Sequence, residues 1–110
     1  MTTWQQLKIG AGGFITGIDV ASDGTIVVRT DTYGAYVGGT TLGAPWTLIV
    51  TTSSMPAGSS GHNASGESLA AGVCEIRIAP SNTSRFYMIM GSLATGLGSM
   101  FRSDNRGTTW

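Results

Sequence analysis

A chain of 110 residues with 11% charged side chains and a formal net charge of zero exerts no electrostatic pull on nucleic acid or anionic lipid, so neither is an expected partner. Its 17 glycines and 41% hydrophobic content describe turn-rich all-β material, too apolar for a wholly disordered chain and long enough for one small domain. The lone Cys74 excludes an intrachain disulfide and a multi-cysteine metal cluster; no apolar run approaches the roughly 18 residues of a membrane span, and no basic-plus-apolar leader precedes Trp4.

In chain order, Trp4, Leu7 and Ile9 before the Gly10-Ala11-Gly12-Gly13 cluster predict an extended N-terminal strand ending in a turn. Phe14–Val20 alternates as a strand, Asp23-Gly24 signals a hairpin, and the β-branched run Ile26–Asp31 predicts a mostly buried second strand. Thr32–Gly34 turns into a short strand at Ala35–Val37, and a loop over Gly38–Pro45 leads to a fourth at Trp46–Val50. Thr51–Gly72, rich in Ser, Gly and Ala, reads as an excursion with a brief helical turn around Glu67–Ala71. Strands return at Val73–Ala79, Arg85–Met90 and Ser99–Arg102, separated by the turn Pro80–Ser84 and the glycine-rich Gly91–Gly98. The flanks of Cys74 place it in a strand, where a buried, inert thiol is expected. Ser103–Gly107 is a polar turn toward Trp110, with Asp104 expected to accept backbone hydrogen bonds.

A repeat emerges from this order. Gly17–Val20 corresponds to Glu75–Ile78, Ile26–Thr30 to Phe86–Met90, Ala35–Val37 to Met100–Arg102, and Trp46 to Trp110. Four-stranded units of about 40 to 45 residues are the size of a β-propeller blade. The expected architecture is therefore an all-β, incomplete β-propeller of about two four-stranded antiparallel blades. Blade one covers 14–50, an insertion loop 51–72, and an incomplete blade two 73–110, with the remaining blades expected from a longer chain.

Ser103-Asp104-Asn105-Arg106-Gly107-Thr108-Thr109-Trp110 resembles the Asp-box, Ser-x-Asp-x-Gly-x-Thr-Trp, of sialidases, sortilin-like receptors and related propellers. That resemblance implies a structural turn at the blade periphery, carried by Ser103, Asp104, Gly107, Thr109 and Trp110. A second stretch, Ile9 to Ile18 followed by Arg29-Thr30-Asp31-Thr32-Tyr33-Gly34-Ala35-Tyr36, resembles the opening of xyloglucan-active endoglucanases and related cellobiohydrolases. Val28, Tyr33 and Val37-Gly38-Gly39 depart from that family's pattern. The resemblance implies a glycoside hydrolase acting on β-1,4-glucan or xyloglucan, with Asp31 as one of two catalytic carboxylates and general base. Inverting hydrolysis needs a second carboxylate about 6.5–9.5 Å away, and in that family it lies in a second propeller. The isolated chain is thus expected to be inactive.

On this reading Tyr33, Tyr36 and Trp46 offer sugar-stacking surfaces to a polysaccharide substrate or glycan ligand, with inter-blade packing as the other role of at least half of them. Asp31 is alternatively a turn aspartate at a strand end, and the chain alternatively a non-catalytic Asp-box propeller module for glycan or protein binding. Arg29 is expected to satisfy a carboxylate or carbonyl. His62 has no metal-ligand partner at useful spacing, Gly10, Gly12 and Gly13 do not form a phosphate loop, and neither cofactor nor metal is implied.

Overall fold

Among the described residues seven strands form where β-branched and aromatic residues alternate between glycine and aspartate turns. In the computed structural model, which describes residues 3–39, 41–56, 72–92 and 97–110, they are β1 (Ile15–Val20), β2 (Ile26–Thr30), β3 (Ala35–Gly38), β4 (Thr47–Leu48), β5 (Val73–Ala79), β6 (Asn82–Ser92) and β7 (Leu97–Ser103). The β1–β2 hairpin closes at Asp23-Gly24. Gly24 adopts a φ of 85°, and the Thr25 amide donates to Asp23 Oδ1 at 3.0 Å. At the β2–β3 turn Thr30 Oγ1 accepts from the Tyr33 amide at 2.9 Å and donates to the Gly34 carbonyl at 3.1 Å. Gly34 is required there: its φ is 77°, and a Cβ would lie 2.8 Å from Val50 Cβ.

The strands make two antiparallel meanders, β1-β2-β3-β4 and β5-β6-β7. Register assigns their faces. In the first sheet one face carries the rows Ile18–Val28–Tyr36–Leu48 and Val20–Ile26–Gly38, while the other carries Asp19–Val27–Val37–Thr47 and Arg29–Ala35. In the second sheet the rows Ile78–Phe86–Ser103, Ile76–Met88–Phe101 and Val73–Met90–Ser99 share one face. The Val27 face of the first sheet meets this face of the second, and Val27, Ala35, Ile76, Phe86 and Met88 are buried between them. Ile49, Val50 and Met55 complete the core, with Trp110 packed against it.

The expected propeller does not form. The two sheets, of four and three strands, stay open, and neither closes nor curls into a ring. The patterning that suggested blades is local: period-two alternation and Asp-Gly turns dictate meanders, and any antiparallel sheet shares them. Closure depends on long-range geometry that these signals do not encode.

Smaller expectations also change. Thr3–Gly13 contains no strand. The fourth strand shortens from the expected Trp46–Val50 to Thr47–Leu48: the Ile49 amide still donates to the Ala35 carbonyl at 2.9 Å, but from the Ile49 carbonyl onward the bonds are hydroxyl-mediated, Ser54 Oγ donating to that carbonyl at 2.9 Å and the Thr51 amide to Ser54 Oγ at 2.9 Å. Cys74 is exposed rather than buried, since a register irregularity between Val73 and Glu75 redirects its side chain. The helical turn expected at Glu67–Ala71, and His62, lie outside the described residues.

Candidate functional site

Asp31 follows β2 directly, and its carboxylate is committed to the backbone. Oδ1 accepts the Phe14 amide at 2.8 Å while the Asp31 amide donates to the Phe14 carbonyl at 3.0 Å. Among the described residues Asp31 has no ion-pair partner and no hydrogen bond to a second carboxylate. Tyr33 lies against the same segment: a Cβ on Gly12 would stand 3.1 Å from its ring, and one on Gly13 would stand 2.9 Å from both that ring and Asp31 Oδ1. Asp31 and Tyr33 therefore come together around Gly12–Phe14. Tyr36 is elsewhere, half-buried in the outer row of the first sheet between Val28 and Leu48.

The terminal turn gathers the other expected residues. Buried Ser103 accepts the Gly107 amide through Oγ at 2.8 Å, and Asn105 Oδ1 accepts the Thr109 amide at 2.9 Å. Gly107 passes so close to Ile49 that a Cβ would lie 2.6 Å from it, and Trp110 Nε1 donates to the Ile49 carbonyl at 2.7 Å. Asp104 does not take the backbone role expected of it. It pairs with Arg85 and, at 3.2 Å, with Arg102; the Arg85 contact holds its carboxyl below the usual range and raises the Arg85 guanidinium. A second pair, Arg106 with Asp23 at 2.8 Å, joins this turn to the β1–β2 hairpin.

One cluster escaped the sequence. Along the edge of β5 that faces the first sheet, Asp19 Oδ2 accepts the Ile78 amide at 2.8 Å and Glu75 Oε1 accepts the Ile76 amide at 3.0 Å. Arg29 Nη1 donates to Thr16 Oγ1 at 3.1 Å and to the Val73 carbonyl at 3.4 Å, and its Nε lies 3.6 Å from Glu75. Arg77 bridges Glu75 at 3.4 Å and Asp19 at 3.8 Å. Two carboxylates and one guanidinium thus occupy backbone groups that an edge strand otherwise offers to another chain, and Arg77 bridges the two carboxylates. Charges set inside apolar strand runs, Asp19 in β1 with Glu75 and Arg77 in β5, were the available signal.

The outer face of the first sheet is of another kind. Its rows Ile18–Val28–Tyr36–Leu48 and Val20–Ile26–Gly38 contain no charged side chain; Val28 is buried, Ile26 half-buried and Gly38 lies against Trp46, while Ile18 and Val20 on β1 are 58% and 57% exposed. Phe14 and Ile15, beside it at the start of β1, are exposed too. The outer face of the second sheet also exposes Tyr87, Ile89 and Met100, but Arg77, Arg102 and Glu75 alternate with them in register.

No protein family, curated protein or solved structure matches this chain. With no related hydrolase and no ring, the readings as a glycoside hydrolase fragment and as an Asp-box propeller module for glycan or protein binding are both set aside. The polysaccharide or glycan ligand and the remaining blades, expected as partners, go with them. The Ser103–Trp110 likeness is a likeness of turn chemistry, a hydroxyl and a carboxamide satisfying local amides, which needs no propeller around it.

Proposed function

We propose that this chain is a non-catalytic β-module that builds a larger assembly by laying the uncharged outer face of its first sheet against another uncharged apolar surface. The observation that carries this reading is the exposure of Ile18 and Val20 side by side in two rows free of charge. Together with Phe14 and Ile15 they make an exposed apolar strip along β1, and neighbouring exposed apolar side chains mark interaction sites when they are contiguous. In this reading Asp31 and Tyr33 pin Phe14 at the margin of the face, and Tyr36 fills its central row. The test is a double substitution, Ile18→Lys with Val20→Thr. Because both side chains are exposed, unfolding stability should stay within about 0.5 kcal/mol, while binding of an environment-sensitive apolar dye should fall severalfold. Unchanged dye binding by a folded variant overturns the proposal.

A further inference from the structure

The two outer edges of the second sheet are treated differently. The β5 edge is occupied by Asp19, Glu75 and Arg29, whereas β7 pairs with β6 on one side and with no strand on the other among the described residues. The returning chain does not cover it: the Trp110 amide donates to the Ser54 carbonyl, away from β7. At the other end of the sequence, Thr3–Gly13 forms neither strand nor helix and makes no hydrogen bond to the described residues; Gly10 and Gly13 take positive φ, Trp4 is 96% exposed and Ile9 is half-buried. A cavity of about 580 Å³ lies between Gln5–Lys8 and the β3–β4 loop at Leu42 and Trp46, so the arm runs beside that loop without a hydrogen bond to it.

We infer that the arm of one copy adds as an antiparallel strand to the β7 edge of a second copy. The arm has the alternation of a half-buried strand: Gln5, Leu7 and Ile9 on one side, Trp4, Gln6 and Lys8 on the other. With Leu7 opposite Phe101, Ile9 falls opposite Ser99 and Leu7 extends the core row Ile76–Met88–Phe101. On the solvent side Lys8 falls opposite Met100 and Gln6 opposite Arg102, so no like charges meet. A parallel strand with the same Leu7–Phe101 pairing would set Lys8 against Arg102. Strand addition supplies the main-chain hydrogen bonds that the arm and the edge do not make with the described residues, as in strand-exchanged oligomers. This inference concerns an edge and is independent of the sheet face proposed above.

The test mixes two variants of the 110-residue chain, Lys8→Cys and Met100→Cys, each carrying Cys74→Ser. Under mild oxidation the mixture should give a mixed disulfide dimer severalfold above the yield of either variant alone. In light scattering the parent chain should show at least twice the monomer mass and return to monomer when Leu7→Asp and Ile9→Asp are introduced, or when residues 1–13 are removed. Equal cross-linking in mixed and unmixed samples overturns the inference. So does a Lys8→Cys/Met100→Cys double variant that closes within one chain, a parent chain that is monomeric throughout, or association that survives the arm substitutions. Ile18→Lys should leave the mixed cross-link unchanged, which separates this edge from the outer face.

Discussion

The strands β5 and β7 border the same sheet, and three charged side chains cap the outer backbone of one, while among the described residues none caps the other. At β5 the amides of Ile76 and Ile78 end on carboxylates and the Val73 carbonyl receives Arg29. At β7 the outer backbone groups meet no strand among the described residues. An edge that is capped with inward-facing charge resists pairing, and an uncapped one invites it. The difference shows that edge protection here follows sheet packing: β5 is guarded because β1 and β2 lie against it and can deliver Asp19 and Arg29.

The contrast can be broken at several points. The largest effect comes from Phe86, wholly buried in the strand between the two edges. Phe86→Ala should cost about 3–5 kcal/mol in urea unfolding, eliminating both edges with the core that supports them. Asp19→Ala is more selective. It leaves the Ile78 amide without its acceptor, so stability should fall by about 1–2 kcal/mol, and the exposed β5 edge should begin to associate in a way that no longer depends on Leu7 and Ile9. If Asp19→Ala neither destabilises nor promotes association, the guarded edge has been misread.

The smallest effect concerns the pair that fastens the terminal turn to the first hairpin. The Asp23 carboxyl is held at about 2, below its ordinary 3.8, first by the Thr25 amide that donates to it, with Arg106 adding to the shift. A carboxylate lowered in the folded state favours folding fully above its ordinary pKa, and that contribution is lost as pH falls toward about 2. The melting temperature should therefore decline over this acid window, and Asp23→Asn should flatten the decline. An unchanged slope would show that Asp23 does not link the two hairpins energetically.

Much of the local fold was legible. Asp23-Gly24, the β-branched run from Ile26 and the alternation of Val73–Ala79 located strands and turns because those signals act between near neighbours. What joins one sheet to the other was not legible. The bond from Ile78 to Asp19 spans 59 residues and that from Arg29 to Val73 spans 44, and no spacing rule brings such residues together. Asp31 illustrates the same limit at a candidate site. Its neighbours in sequence suggested a chemistry that requires a second carboxylate, while its contact with Phe14, 17 residues away, ties it to backbone. Cys74 failed for a third reason, since one irregular step in register turns a strand residue outward.

The bond from Trp110 Nε1 to the Ile49 carbonyl also bears on the order of folding. Each meander is assembled from hairpins between consecutive strands, contacts that a chain reaches quickly. Trp110 meets Ile49 across 61 residues and Arg106 meets Asp23 across 83, so these contacts carry the entropy of closing much longer loops. The hairpins consequently form ahead of the docked pair. Trp110, seated on a carbonyl just past the last strand of the first sheet, reports the moment at which two independently formed meanders become one core.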